Sequence, residues 1–302
     1  MRRSLTDVFF VLLILAATAT PQAQELAPRA YWPAPTGTNV AVMSYQHSQG
    51  DVLVDASTPI EGAEATLDFL SLTYLRTFGV FDRTASLQVN YPFVQGDAEA
   101  MVNGEFRERS ISASADARAR FAINLIGAPS MDGKAFRALV ANPEPIVGAS
   151  VLVSIPTGDY DGDKLFNAGS NRWAVKPAVG FILPISHGWL FEGEVGTWFY
   201  EDNDDYQGKT RSQKPVLSSE FHLVHVVKNG TWFSLDANWY QGGAATVGDG
   251  AEQAELRNSR AGITLLHPLN RHHAIRFAAS TAIESKIAGD FDSVSLSYMY
   301  IW

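Results

Sequence analysis

The feature that most constrains this chain is a hydrophobic period of two, repeated in segments of about ten residues and carried to the last residue. Between Thr231 and Tyr240, Phe233, Leu235, Ala237 and Trp239 fall on one face, and Ser234, Asp236, Asn238 and Tyr240 on the other. Val294, Leu296, Tyr298, Tyr300 and Trp302 alternate with Ser293, Ser295 and Ser297 in the same way. A helix has no use for this pattern, because its apolar stripe recurs every three to four residues. The chain is therefore read as all-β.

Twelve such segments are predicted, near 39–49, 67–78, 83–95, 110–126, 146–156, 172–185, 189–200, 215–227, 231–241, 257–267, 272–283 and 292–302. Short connections (Phe78–Phe81, Ile185–Gly188, Lys228–Gly230, Pro268–Arg271) alternate with longer acidic ones at 50–66, 96–109, 157–171, 201–214, 242–256 and 284–291. Asn229-Gly230 is a tight-hairpin pair, since both residues accept positive φ. Short turns alternating with long loops is the arrangement of outer-membrane barrels, with the turns periplasmic. One short connection is expanded: Asp132 is placed as N-cap of a helix over 132–141, ending before Pro143, at the periplasmic mouth.

A soluble β-sandwich would alternate too, but its core would have to be dry. Here one face keeps fixed charges in mid-strand, at a cost of several kcal/mol per ion in a dry interior. The other face is apolar and tipped by aromatics (Trp173, Trp189, Phe191, Trp198, Phe199, Trp232, Trp239, Tyr298, Tyr300 and Trp302), read as interfacial girdles. These two faces predict a single antiparallel transmembrane β-barrel of about 12 strands, residues 39–302. The aromatic end Tyr298-Met299-Tyr300-Ile301-Trp302 resembles the signal by which barrel-assembly machinery recognises such proteins.

Met1-Arg2-Arg3 followed by the apolar run Val8–Ala17 reads as a signal peptide over 1–23, cleaved after Ala19 or Ala23. That run is shorter than the ~17–25 residues of a spanning helix. Residues 24–38 are read as a periplasmic N-terminal segment. The chain has no cysteine, hence no disulfide framework. Its formal net charge of -9 and lack of a basic tract argue against nucleic acid as a partner.

Several motifs carry a family resemblance. They are Gly148–Gly158, Tyr160-Asp161-Gly162-Asp163-Lys164-Leu165, Asn171–Pro177, Trp198–Asp205, Leu235–Tyr240, Arg257-Asn258-Ser259-Arg260 and Pro268–His273. Together they resemble the bacterial outer-membrane transporter family named for the phenol meta-degradation (MetA) pathway, from about residue 30 to the end. The resemblance implies an outer-membrane location and uptake of small molecules, aromatic ones among them, and does not extend to phenol itself as substrate.

By alternation, five acids (Asp116, Glu192, Glu194, Glu220, Asp236) and five bases (Arg118, Arg120, Lys176, Arg260, Arg276) face inward and are the candidate lumen-lining residues. Their balance predicts charges paired across the bore, narrowing it and selecting polar solutes. Eight strands would be filled by side chains and sixteen would leave a channel; twelve lie between. The expected function is a porin-like channel for passive uptake of small, aromatic or hydrophobic solutes. The alternatives are a non-conducting structural or adhesion barrel and an outer-membrane lipid hydrolase, which would need a serine such as Ser218 or Ser219 beside a base. No catalytic residue, cofactor or metal site is assigned. Asp159, Asp161 and Asp163 lack the glycine and terminal Glu of a calcium loop, and His222 and His225 are placed on opposite faces. Expected partners are outer-membrane lipid, lipopolysaccharide bridged to the acidic loops by divalent cations, the assembly machinery and a small-molecule solute.

Overall fold

The computed structural model describes residues 27–51, 60–102, 105–164, 167–286 and 290–302. The signal-peptide reading at 1–23 lies outside them. Strands β1 (Asn39–Asp51), β2 (Ile60–Val80), β3 (Arg83–Val102), β4 (Glu105–Ser114) and β5 (Ala117–Ile126) precede the helix α1 (Gly133–Ala141). Then come β6 (Ile146–Ile155), β7 (Ala174–Ser186), β8 (Trp189–Tyr200), β9 (Asn203–Tyr206), β10 (Lys209–Gln213) and β11 (Val216–Val226). The chain ends with β12 (Trp232–Gly242), β13 (Ala245–Val247), β14 (Leu256–Pro268), β15 (His273–Lys286) and β16 (Phe291–Ile301).

Neighbours in sequence pair antiparallel around a ring that β1 and β16 close, from Val40↔Ile301 to Gly50↔Phe291. The wall has twelve strands because β4 and β5 are two halves of one, both hydrogen-bonded to β3. Their break at Ala115-Asp116 stands opposite Pro92, which has no N–H to give the ladder; proline is admitted to a sheet interior at such bulges. The Pro92 carbonyl instead accepts from Ala115 N at 3.0 Å. Because β1 and β16 close the ring, the wall strands hydrogen-bond to one another and not to water, as a barrel in lipid requires.

Burial alternates as the sequence predicts. Along β12, Trp232, Ser234, Asp236, Asn238 and Tyr240 are buried, while Phe233, Leu235, Ala237 and Trp239 are exposed. The outward set is apolar: Leu72, Leu87, Val179, Val195, Leu235, Ile263 and Leu296 are all exposed. In water such a surface would be an aggregation liability; in a bilayer it is the solvent-facing side. Two aromatics assigned to the girdle are corrected: Trp198 and Trp232 are buried and point inward. Their strand parity already put them with Glu194 and Ser234; segment-end position was the wrong guide.

Two of the long loops are not loops. β2 and β3 continue in register to Ile60↔Val102, and β3 pairs with β4 to Val102↔Glu105. At ~3.3 Å per residue the 21 residues of β2 span about 70 Å, more than twice the ~30 Å hydrocarbon thickness. Residues from the predicted loops 201–214 and 242–256 form a second, three-stranded sheet, β13-β10-β9. At the other end the turns are tight: Phe81 and Asp82 have φ of 49° and 57°, and Asn229 and Gly230 have φ of 65° and 77°. Helix α1 begins where expected, with Asp132 accepting from Lys134 N at 2.9 Å and Ala135 N at 2.8 Å. Four unpaired N–H groups open any helix, and a side-chain acceptor satisfies two of them here.

Candidate functional site: a stoppered lumen

The inward face is layered along the bore. At the loop end, Trp198, Tyr240, Ala174 and Val216 make an apolar cluster joined by Tyr200 and Leu152. The Arg172 guanidinium lies 4.6 Å from the centre of the Tyr200 ring. Burial, and then the neighbouring charge of Arg211, pushes the Arg172 guanidinium down to about 10. Asp116, predicted to line the bore, accepts instead from Gly158 N (3.0 Å), Ser170 N (2.9 Å) and the Ser170 hydroxyl. It sits in the β4–β5 bulge and pins the loop before β7 to the wall.

In the middle layer, Glu194 is clamped at both oxygens: Lys176 Nζ is 2.8 Å from Oε1 and Arg120 Nη2 is 3.0 Å from Oε2. Lys176 also lies 3.7 Å from Glu220. Below them, His222 Nδ1 is 2.9 Å from Asp236 Oδ1, and Thr264 donates to Asp236 Oδ2 at 2.8 Å. Lys176 (6% exposed), Glu192 (3%) and Arg260 (1%) are as buried as any core residue. These charges pair mostly between neighbouring wall strands, as Lys176 does with Glu194 and His222 with Asp236, and they are packed against protein. Arg260 donates to Ser280 at 3.1 Å, Arg276 has its Nε buried without a hydrogen-bond partner, and Arg118 is half-buried opposite Ser154 on β6.

What the sequence reading missed is the role of residues 27–37, which enter this end of the barrel and fill it. Glu192 accepts from Arg29 N at 2.7 Å and lies 3.7 Å from its guanidinium. That guanidinium stacks 3.7 Å over the Trp32 ring. Glu220 accepts from Ala27 N at 3.4 Å, Arg120 donates to Ala30 O at 3.1 Å, and Asn124 donates to Tyr31 O at 3.2 Å. Tyr31 is the centre: its ring is buried in a cluster with Ala122, Ala128, Met131, Ile146, Ile182, Leu190, Val224 and Trp232, against which Phe136 and Leu139 of α1 also pack. Thr36 N and Gly37 N then tie the exit to Met131 O and Thr77 O, each at 2.9 Å. The crevice left beside the segment is a cavity of about 20 Å³, room for a water and not for a solute. A run such as Pro28-Arg29-Ala30-Tyr31-Trp32-Pro33 has no period of its own, and only its aromatic content, odd for a segment in water, hinted at burial.

A closed, lipid-facing twelve-stranded barrel whose charged interior is stoppered by its own N-terminal segment is an outer-membrane-type β-barrel. The family described as "Putative MetA-pathway of phenol degradation" matches residues 46–285, and the chain belongs to it. Among solved structures, the COG4313 outer membrane channel from Pseudomonas putida F1 superposes with a TM-score of 0.75 at 20% identity, covering 92% of this chain and 100% of that one. The transport unit of the autotransporter AIDA-I from Escherichia coli (TM-score 0.49, 7% identity, 98% and 96% covered) and the β domain of the Bordetella autotransporter BrkA (0.47, 10%, 88% and 100%) are more distant barrels. No curated protein is a significant match.

Proposed function

We propose that this barrel is an outer-membrane channel for passive uptake of small solutes, aromatic or hydrophobic ones among them, and that residues 27–37 are its stopper. One observation carries the reading: the mouth is sealed by a tethered segment, held by hydrogen bonds and packing, rather than by the wall itself. A structural plug could be built from the wall's own side chains, as in smaller barrels. A separate segment with charged anchors is a part that can leave. Glu192, Glu194, Glu220 and Arg120, which hold it, and Lys176, which braces Glu194, would then line the path with Asp116, Arg118, Asp236, Arg260 and Arg276. Both barrel termini and the short turns share the stoppered end, which supports a reading in which that end faces the periplasm and the long acidic loops face outward, among lipopolysaccharide.

Single-channel recording in planar bilayers tests this. The full chain should show a small or intermittent conductance, and a chain lacking residues 27–37 a larger and steadier one. Silence from both, with no solute uptake into liposomes, would leave the second reading, a non-conducting scaffold, which the packing of Lys176, Glu194 and Glu192 favours. The hydrolase reading has no such support. His222 faces Asp236 and Glu220, and Ser218 is four residues along the same strand, about 13 Å away at ~3.3 Å per residue.

A further inference from the structure

The slot that Tyr31 fills has the form of a receptor for a phenol. Tyr31 donates its hydroxyl hydrogen to Glu194 Oε2 at 2.7 Å, which leaves its oxygen to accept from Ser150 Oγ at 2.9 Å. Glu194 is not free to turn away, since Lys176 holds its other oxygen and Arg120 shares the same one. The Arg120 guanidinium carbon lies 4.8 Å from the ring centre, a cation over a π face. The ring lies flat against two glycines: Gly148 is nearest Cδ1 and Cε1, Gly180 is nearest Cε2 and Cδ2, and a Cβ at either would overlap the ring. Both are inward positions where β6 and β7 pair directly, Gly148↔Gly180. Two glycines in register weaken a ladder and are explained here by the close approach of an aromatic ring.

We propose that this slot is a binding site for a free phenolic solute, and that Tyr31 is its tethered internal occupant. The proposal rests on the channel reading above, because a solute reaches the slot only through the bore. The chemistry sets the class. A hydroxyl hydrogen is needed, because an arene without one would leave the Ser150 hydroxyl and the Glu194 carboxylate facing carbon in a buried site. The ring must be flat, because the two glycines leave room for the thickness of an arene and no more. The para position is open, since that is where the Tyr31 Cβ enters. A para-alkyl phenol fits and a puckered 4-alkylcyclohexanol does not. Tethering gives Tyr31 an effective concentration on the order of millimolar, so a free phenol competes with it in that range. When it does, it withdraws the ring that holds residues 27–37 in the mouth.

The test uses the full chain in detergent, with p-cresol as probe and toluene and 4-methylcyclohexanol as controls. Trypsin cleavage after Arg29, read by mass spectrometry as a new amino terminus at Ala30, reports withdrawal of the segment. Millimolar p-cresol should accelerate that cleavage about tenfold, with the two controls inert. In Tyr31→Ala the slot stands empty, so p-cresol should raise the melting temperature with a half-effect at a concentration at least about tenfold lower, and toluene should not. Equal responses to p-cresol and toluene, or a wild-type cleavage rate that p-cresol leaves unchanged, overturn the site. Failure of the channel is seen separately: a p-cresol response without conductance would sink the channel and keep the site, and conductance without a p-cresol response would do the reverse.

Discussion

His222 and Asp236 are direct register partners across the β11–β12 ladder, with the imidazole Nδ1 2.9 Å from the carboxylate Oδ1. Thr264, on β14, donates to the other oxygen at 2.8 Å, so one carboxylate joins three successive wall strands inside the bore. Asp236→Ala leaves the His222 and Thr264 donors buried and unpaired. The expected loss is about 2–3 kcal/mol of unfolding free energy, the usual scale for a hydrogen bond to a charged group with its desolvation, read by urea titration of the refolded barrel. Asp236→Asn should lose less, since an amide oxygen still accepts.

Glu192 anchors the stopper at two points, through Arg29 N and the Arg29 side chain. In Glu192→Gln one charge is gone but a carbonyl oxygen remains for the backbone bond. Trypsin should cut after Arg29 about tenfold faster than in wild type, equivalent to ~1.4 kcal/mol, with barrel stability little changed. An unchanged rate would mean that the segment's other contacts, those of Tyr31 foremost, hold it without this charge.

Val195 lies midway between the outward aromatics Phe191 and Phe199 on β8 and is 47% exposed. In the lipid-facing reading it is at the bilayer midplane, where Val195→Arg costs about 2–4 kcal/mol. Phe199→Arg, nearer the interface, should cost ~0–1 kcal/mol by the same depth dependence. Equal effects at both depths in folding titrations into lipid vesicles would contradict that orientation.

The two backbone N–H donors of Lys134 and Ala135 hold the Asp132 carboxyl below its usual 3.8. A depressed carboxylate stabilises the fold above its ordinary range and loses that contribution as pH falls through the folded value. The protection factors of the Ala135 and Phe136 amides, taken against the unstructured exchange rate at the same pH, should therefore hold at neutral pH and fall below about pH 4. Asp132→Asn should cap without the acid dependence.

Much of the wall was legible in the sequence because a lipid-facing barrel must alternate residue by residue. The segment at 231–241 became β12 (Trp232–Gly242) and that at 189–200 became β8 (Trp189–Tyr200), since a one-residue slip would turn every side chain to the wrong solvent. Helix α1 was legible from its cap, and the parity that buries Lys176, Glu192, Glu194, Glu220, Asp236 and Arg260 from alternation. The loops were less so: β2, β3 and β4 run past the membrane on pairing alone, where water accepts either face and no alternation is enforced. Trp198 and Trp232 were misplaced because position near a strand end was allowed to outweigh parity.

Local pattern thus determined which residues are wall, which side of it is greasy, and which acids and bases share the inside. Only the closed tertiary structure decided that Glu192 meets Arg29, that Asp116 pins a loop, and that Gly148 and Gly180 face each other across a tyrosine. Those contacts join residues far apart in the chain, such as Tyr31 and Glu194, |i−j| = 163. A period of two says which way a side chain points; what it meets there depends on how the ring closes around a segment with no period at all.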